Sequence, residues 1–342
     1  QAACSIGCVE MAGWDEWMGK GEWMGKGGWK GKWGWMGKPA WKGKAAGKGK
    51  AKGVNIGGQA DADLPDGVRK ETFPVHMTPQ GQVVHLDVYH AASAATEQDA
   101  LRPSVLFTHG SAFSAGPKLR NKPPFLKAFS DRGYTVAVLE HRGKGVGFPA
   151  LLHDGKAALR YLRGNAIAMG LDPDRISVFG DSSGGWMSLM LAATSKPDMP
   201  AQVDLDGGLG APAFRSLPVH VACCVNFYAP VHFLLTEREH QPDSLASTMI
   251  GFPAHEQPEV TARMHPETYI DAALPPTLVV HGTEDDRVPV LHSKHLVQKL
   301  QQAGVKHEYI ELPGFGHGPP AAFRDEVMPR VMEWLDEHSK PK

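Results

Sequence analysis

From about residue 66 onward, short apolar runs alternate with longer segments in which apolar residues recur at helical spacing. Two early runs, Val68–Val75 and Gln82–His90, flank the turn Thr78-Pro79-Gln80-Gly81 and predict an antiparallel pair of strands. Six more runs follow at Ser104–Thr108, Tyr134–Leu139, Ile176–Phe179, His220–Val225, Thr277–Val280 and Glu308–Leu312. Most are rich in β-branched residues and bounded by Gly or Pro, the mark of strands buried on both faces. Between them, Leu159, Leu162, Ala166 and Met169 set out a helix over 153–169 that Gly170 stops, and a second helix covers Leu291–Ala303 before Gly304. Strands alternating with helices predict a mainly parallel, eight-stranded α/β sheet with right-handed crossovers.

Residues 11–53 obey neither period. Trp-Met-Gly-Lys occurs at 17–20, 23–26 and 35–38, and Trp-Lys-Gly-Lys at 29–32 and 41–44. Dense Gly and few aliphatic residues leave too little burial to offset backbone entropy, so residues 1–65 are expected to be a disordered low-complexity tail and 66–342 the folded domain. Residues 1–53 hold ten Lys, no Arg and four acidic residues, a net charge of +6, so the remainder carries about -7 of the overall -1. A mildly acidic globule excludes broad nucleic-acid binding by the folded part. Any contact with single-stranded nucleic acid falls to the tail, whose interleaved Trp and Lys could stack and pair; the alternative is a solvated extension without a fixed partner.

The four cysteines do not form a disulfide framework: Cys4 and Cys8 lie in the tail and Cys223 and Cys224 adjoin in an apolar run. No stretch is long enough to span a membrane. The chain starts at Gln1, as a fragment or processed form would, and the expected location is cytoplasmic.

The chemistry centres on Gly180-Asp181-Ser182-Ser183-Gly184, preceded by a predicted strand and followed by the helix-compatible run Met187–Thr194. G-x-S-x-G suits a strand, sharp turn and helix, because the central residue takes a strained backbone and the flanking Gly let strand and helix pass closely. Ser182 is then the exposed nucleophile, and the helix N-terminus, including the N–H of Ser183, can stabilise an oxyanion. Serine needs a base held by a third group. After Thr277–Val280 comes an acidic loop containing Asp285 and Asp286, and after Glu308–Leu312 comes Gly316-His317-Gly318, each directly behind a predicted strand. His292, His295 and His307 fall inside predicted elements and read as packing or surface residues. The loop His109-Gly110-Ser111-Ala112, behind Ser104–Thr108, offers the backbones of Ser111 or Ala112 as further oxyanion donors.

Together these segments make residues 66–338 resemble the esterase/lipase branch of the α/β-hydrolase superfamily, close to feruloyl and acetyl-xylan esterases and to the prolyl oligopeptidase catalytic domain. The resemblance rests on Phe107–Phe113, Ala166–Ile176, Gly180–Gly185, Pro275–Gly282 and Pro313–Gly318. It implies an α/β-hydrolase fold with a partial lid. It implies a Ser182–His317–Asp285 triad that cleaves small carboxylic esters, since the pattern His-Gly-x-x-Asp-x-x-Val-Pro falls on Asp285. Amide hydrolysis by the same triad, and a binding scaffold with an RNA-recruiting tail, are the competing readings. No metal or organic cofactor is implied. The chain departs from the family pattern His-Gly-Gly-Gly at Ser111 and Ala112, and from Tyr-Arg at Glu140-His141-Arg142. Ser195–Pro218 and Pro230–Ala273 are expected to cover the site, and Trp186 is a candidate acyl-pocket residue, with core packing as its alternative.

Overall fold

The computed structural model describes residues 64–78, 81–91, 101–114, 121–195, 212–318 and 321–339. The expected tail, apart from Leu64 and Pro65, and Cys4 and Cys8 with it, lies outside the described residues, as do 196–211 of the first covering segment.

Eight strands form one sheet: β1 (Arg69–Met77), β2 (Val83–His90), β3 (Arg102–Thr108), β4 (Thr135–Leu139), β5 (Leu171–Asp181), β6 (Cys224–Phe227), β7 (Thr277–Gly282) and β8 (His307–Leu312). Their spatial order is β1-β2-β4-β3-β5-β6-β7-β8. The pairs β1/β2 and β2/β4 are antiparallel, and every later pair is parallel. This is the α/β-hydrolase fold.

Period-two side-chain alternation builds a core on each face. Leu106, Ala137, Leu139 and Val178 point into one cluster, shared with α2 (Ala150–Met169) and α3 (Ser183–Thr194). Their neighbours Val105, Phe107, Val136, Val138 and Phe179 point into the other, which α1 (Leu126–Asp131) closes through Phe129 and the C-terminal helix Ala321–His338 through Val331 and Leu335. The apolar runs of the inner strands are continuous because both faces are covered.

One strand departs from its predicted position. The run His220–Val225 was expected to be a strand, but β6 spans Cys224–Phe227. The Arg163 guanidinium on α2 donates to the carbonyls of Pro173, Pro218 and His220, which draws the start of the run toward the helix. At the other end Asn226, fully buried, pairs in the ladder with Gly180 and Val279 while its side chain donates Nδ2–H to the Gly185 carbonyl at 2.8 Å.

The two segments expected to cover the site separate. Phe214, in a 3-10 turn at Pro212–Phe214, packs on α2 beside Tyr161, with ring centroids 6.2 Å apart. Residues 230–273 carry α4 (Leu245–Ile250), α5 (Pro258–Ala262) and several 3-10 turns, and part of this segment walls the cavity described below. The helix predicted over Leu291–Ala303 is α6 (Leu291–Gln302), and the C-terminal helix is α7. Among the described residues no helix is long and apolar enough to cross a membrane.

Candidate active site

Ser182 stands between β5 and α3 at φ 53° and ψ -124°, a strained setting for a residue with a side chain. Two glycines make that turn feasible. A Cβ on Gly180 would lie 2.1 Å from the Gly184 carbonyl oxygen, and one on Gly184 would lie 1.9 Å from that of Thr108. The turn is held from beneath by the Ser182 N–H, which donates to the Phe227 carbonyl at 2.9 Å.

His317 Nδ1 lies 2.8 Å from Asp285 Oδ2, and its Nε2 lies 3.1 Å from Ser182 Oγ. An ionised carboxylate only accepts, so Nδ1 carries the ring proton and Nε2 turns its lone pair to the serine hydroxyl. The loops bearing Asp285 and His317 are joined to one another: Glu284 N–H donates to the Phe315 carbonyl at 2.9 Å and Gly314 N–H to Thr283 Oγ1 at 2.8 Å.

Asp285 Oδ1 accepts the N–H groups of Arg287 and Val288 at 2.9 and 2.8 Å. Behind it, His281 Nε2 lies 3.3 Å from Oδ2 and 2.8 Å from the Val288 carbonyl, and its Nδ1 lies 2.6 Å from Ser293 Oγ. Burial alone would raise the Asp285 pKa, but bonds to His281, His317 and the Val288 N–H outweigh it and hold the carboxyl well below the usual range. The group therefore stays ionised opposite the imidazole. Asp286, its neighbour, faces the cavity instead.

The oxyanion expectation holds three residues, and the structure treats them differently. Ser111 N–H donates to Ser183 Oγ at 2.9 Å, so that amide is engaged within the protein and the expectation for Ser111 is corrected on that point. Among the described residues the N–H groups of Ala112 and Ser183 have no acceptor, and both residues line the cavity beside Ser182. Ala112 and Phe113 sit at φ 49° and 59°, the central positions of a turn closed by Ser114 N–H to the Ser111 carbonyl at 3.0 Å.

Trp186 is the second correction. It is fully buried, does not line the cavity, and donates Nε1–H to the Met264 carbonyl at 2.7 Å. Its ring packs edge-on against Phe113 at 5.2 Å, and Phe113, unlike Trp186, lines the cavity. Trp186 props that wall without forming it.

The cavity above Ser182 has a volume of about 1100 Å³. Phe113, Pro230, Phe233, Leu245 and Val288 give it an apolar side, whereas Arg238, Gln241, Asp243, Asp286 and Arg287 supply polar groups. His292, read from the sequence as ordinary packing, also lines it; Nδ1 accepts the Val231 N–H at 3.3 Å and Nε2 lies 3.1 Å from Glu239 Oε1.

Sequence reasoning missed Asp181 and Tyr228. Asp181 lies inside the Gly180–Gly184 motif, and its Oδ1 accepts Gly110 N–H at 2.9 Å. Tyr228 lies beyond the predicted run His220–Val225, and nothing in the periodicity signals its φ of 38° or its place 5.0 Å from the His317 ring.

Next to the cavity wall, His232, His265 and Glu267 converge in the manner of a metal-binding set. The donor chemistry does not fit a cation. His265 Nε2 accepts Phe233 N–H and His232 Nδ1 accepts Leu234 N–H, each at 3.1 Å, so the other nitrogen of each neutral ring carries a proton and no lone pair. Glu267 accepts from His295 and faces His232 Nε2 at 3.6 Å, so the carboxylate is already engaged by the neighbouring imidazoles.

The BD-FAE family model matches residues 86–300. A probable carboxylic ester hydrolase, LipM, of Mycobacterium tuberculosis is 27% identical over 69% of this chain and 53% of its own length. Esterase LipQ of the same organism is 25% identical over 72% of this chain and 57% of its own, so the chain spans about half the length of these curated relatives. Among solved structures, a truncated carbohydrate esterase from gut microbiota superposes with a TM-score of 0.70 at 25% identity, covering 80% of this chain and 98% of that one. With more than half of its residues matched and the strand order and nucleophile turn in place, the chain belongs to the BD-FAE family of α/β-hydrolases.

Proposed function

We propose that the protein hydrolyses small carboxylic esters through an acyl-enzyme on Ser182. The observation that carries this reading is the unbroken hydrogen-bonded line Ser182–His317–Asp285 at the floor of a large cavity. Ser182 Oγ attacks the acyl carbon as His317 Nε2 takes its proton, and the ionised Asp285 stabilises the imidazolium. The N–H groups of Ala112 and Ser183 receive the negative oxygen of the tetrahedral intermediate. His317 then returns the proton to the leaving alkoxide. Water, activated by the same imidazole, attacks the acyl group and regenerates the serine.

The mixed lining favours a substrate with an apolar acyl part and a polar leaving group, and the carbohydrate esterase among the solved relatives supports a polyhydroxylated alcohol. Turnover of p-nitrophenyl acetate, an acetylated sugar and a prolyl peptide amide, compared side by side, tests the assignment. Hydrolysis of both esters with little amide cleavage is expected, and preferential amide cleavage would overturn it.

A further inference from the structure

The oxyanion loop of this chain holds a left-handed turn without the glycines that would make it easy: Ala112 and Phe113 both have positive φ. Something must keep it there. The two side chains that flank the nucleophile each take one of its amides, Asp181 Oδ1 accepting Gly110 N–H and Ser183 Oγ accepting Ser111 N–H, both at 2.9 Å. The contact on the Asp181 side is tight, since a Cβ on Gly110 would come within 2.7 Å of Asp181 Oδ2.

Asp181 is braced in turn. Tyr228, directly after β6, donates its hydroxyl to Asp181 Oδ2 at 3.4 Å and its N–H to the Val280 carbonyl at 2.8 Å. Its ring lies across the His317 imidazole, with centroids 5.0 Å apart and planes at 66°. A bulky residue at φ 38° is strained, and strain of this kind persists where its surroundings over-determine it.

We propose that Asp181 is a positioning residue for the oxyanion loop and that Tyr228 couples it to the imidazole of His317, so that one strained tyrosine sets both halves of the machinery. The inference rests on the serine-hydrolase reading above. Neither side chain takes a step in the reaction: Asp181 acts through Gly110 and thereby through the Ala112 N–H, and Tyr228 acts through Asp181 and the His317 ring it packs against.

The test uses the full chain, p-nitrophenyl acetate, and a trifluoromethyl ketone, which binds as a tetrahedral oxyanion adduct. Competent sites are counted by fluorophosphonate stoichiometry, so that loss of folded protein is separated from loss of rate. Removing an oxyanion donor outright costs about 10²–10³-fold, and loosening the loop should cost less, so Asp181→Ala is expected to lower kcat per labelled site about 10- to 100-fold. KM should stay within about threefold while the ketone weakens in step with kcat. Asp181→Asn keeps an oxygen acceptor for Gly110 N–H and should lose clearly less. Tyr228→Phe should lose activity in the same direction, and the Asp181→Ala/Tyr228→Phe double variant should be no worse than Asp181→Ala alone, because residues acting in one chain are not additive.

Unchanged kcat and ketone affinity per labelled site in Asp181→Ala would overturn the proposal, as would multiplying losses in the double variant. If Asp181→Ala does not fold, Tyr228→Phe and Asp181→Asn decide it, and wild-type kcat in both would overturn it. A wild-type chain that neither labels nor turns over the ester would instead sink the hydrolase reading and this inference with it.

Discussion

His317 Nε2 and Ser182 Oγ meet at 3.1 Å although 135 residues separate them along the chain. The meeting is a consequence of parallel strands. β5 and β8 run the same way, so the loops at their C-terminal ends emerge at one rim, and Asp285 arrives there behind β7. In open α/β sheets this rim is where ligands bind.

Asp285→Asn should keep the fold and lower kcat steeply. An amide in place of the carboxylate can turn its NH₂ to His317 and favour the wrong imidazole tautomer, a change worth about 10⁴ in kcat in a comparable triad. Steady-state kinetics of the purified variant, with its circular dichroism unchanged, checks this. Asp286→Asn, at the neighbour that faces the cavity, should leave kcat within about threefold, the scale of a surface polar change.

Gly110→Ala should abolish most activity without unfolding the chain. The added Cβ would stand 2.9 Å from that of Ser182 and 3.0 Å from the Asp181 carbonyl, so the oxyanion loop must move away from the nucleophile. Loss of about 10²-fold in kcat is expected, the scale of one missing oxyanion donor. Comparing kcat with thermal stability separates this from a folding defect.

Trp186→Phe separates the wall from its support. The indole N–H to the Met264 carbonyl is lost inside the core, which leaves a buried acceptor unpaired and should destabilise the protein by about 1–3 kcal/mol. Because Trp186 does not line the cavity, KM for a short-chain ester should change little. A denaturant melt read beside KM decides between support and contact.

Acid should weaken the wall around residues 230–267 through His265. Burial, followed by the nearby positive charges that His232, His295 and His292 can carry, lowers its pKa from 6.5 to about 3. The folded state then keeps His265 neutral while the unfolded chain takes up a proton, so stability falls as pH drops from about 6.5 toward 3 and is fully present above that window. At pH 5 the contribution is a loss of about 2 kcal/mol relative to neutral pH. His265→Gln, which retains an acceptor for the Phe233 N–H, should flatten the decline of Tm between pH 7 and pH 5. An equal decline in both proteins would show that another group governs it.

The sheet was legible in the sequence because its inner strands are buried on both faces and read as unbroken apolar runs, from Val105 to Phe107 as clearly as from Leu278 to Val280. The position of β6 was not, since Arg163 takes the His220 carbonyl at the start of the run and Asn226 interrupts the apolar pattern while remaining in the ladder. The residues now brought together at the rim could be found because each lies in the turn or loop that directly follows a strand and is flanked by Gly or by a second acid. The capture of the Ser111 amide by Ser183, the positive φ of Tyr228 and the cavity wall at residues 230–246 had no such signal, because each depends on contacts between segments with no period of their own.

The most direct test of the central claim is covalent labelling of the purified, folded chain with a fluorophosphonate, followed by intact mass and peptide mapping. One adduct per chain, on Ser182, absent from His317→Ala within the same exposure and accompanied by loss of ester turnover, is the expected result. A folded chain that hydrolyses esters while Ser182 stays unlabelled, or that labels at another residue, would contradict it.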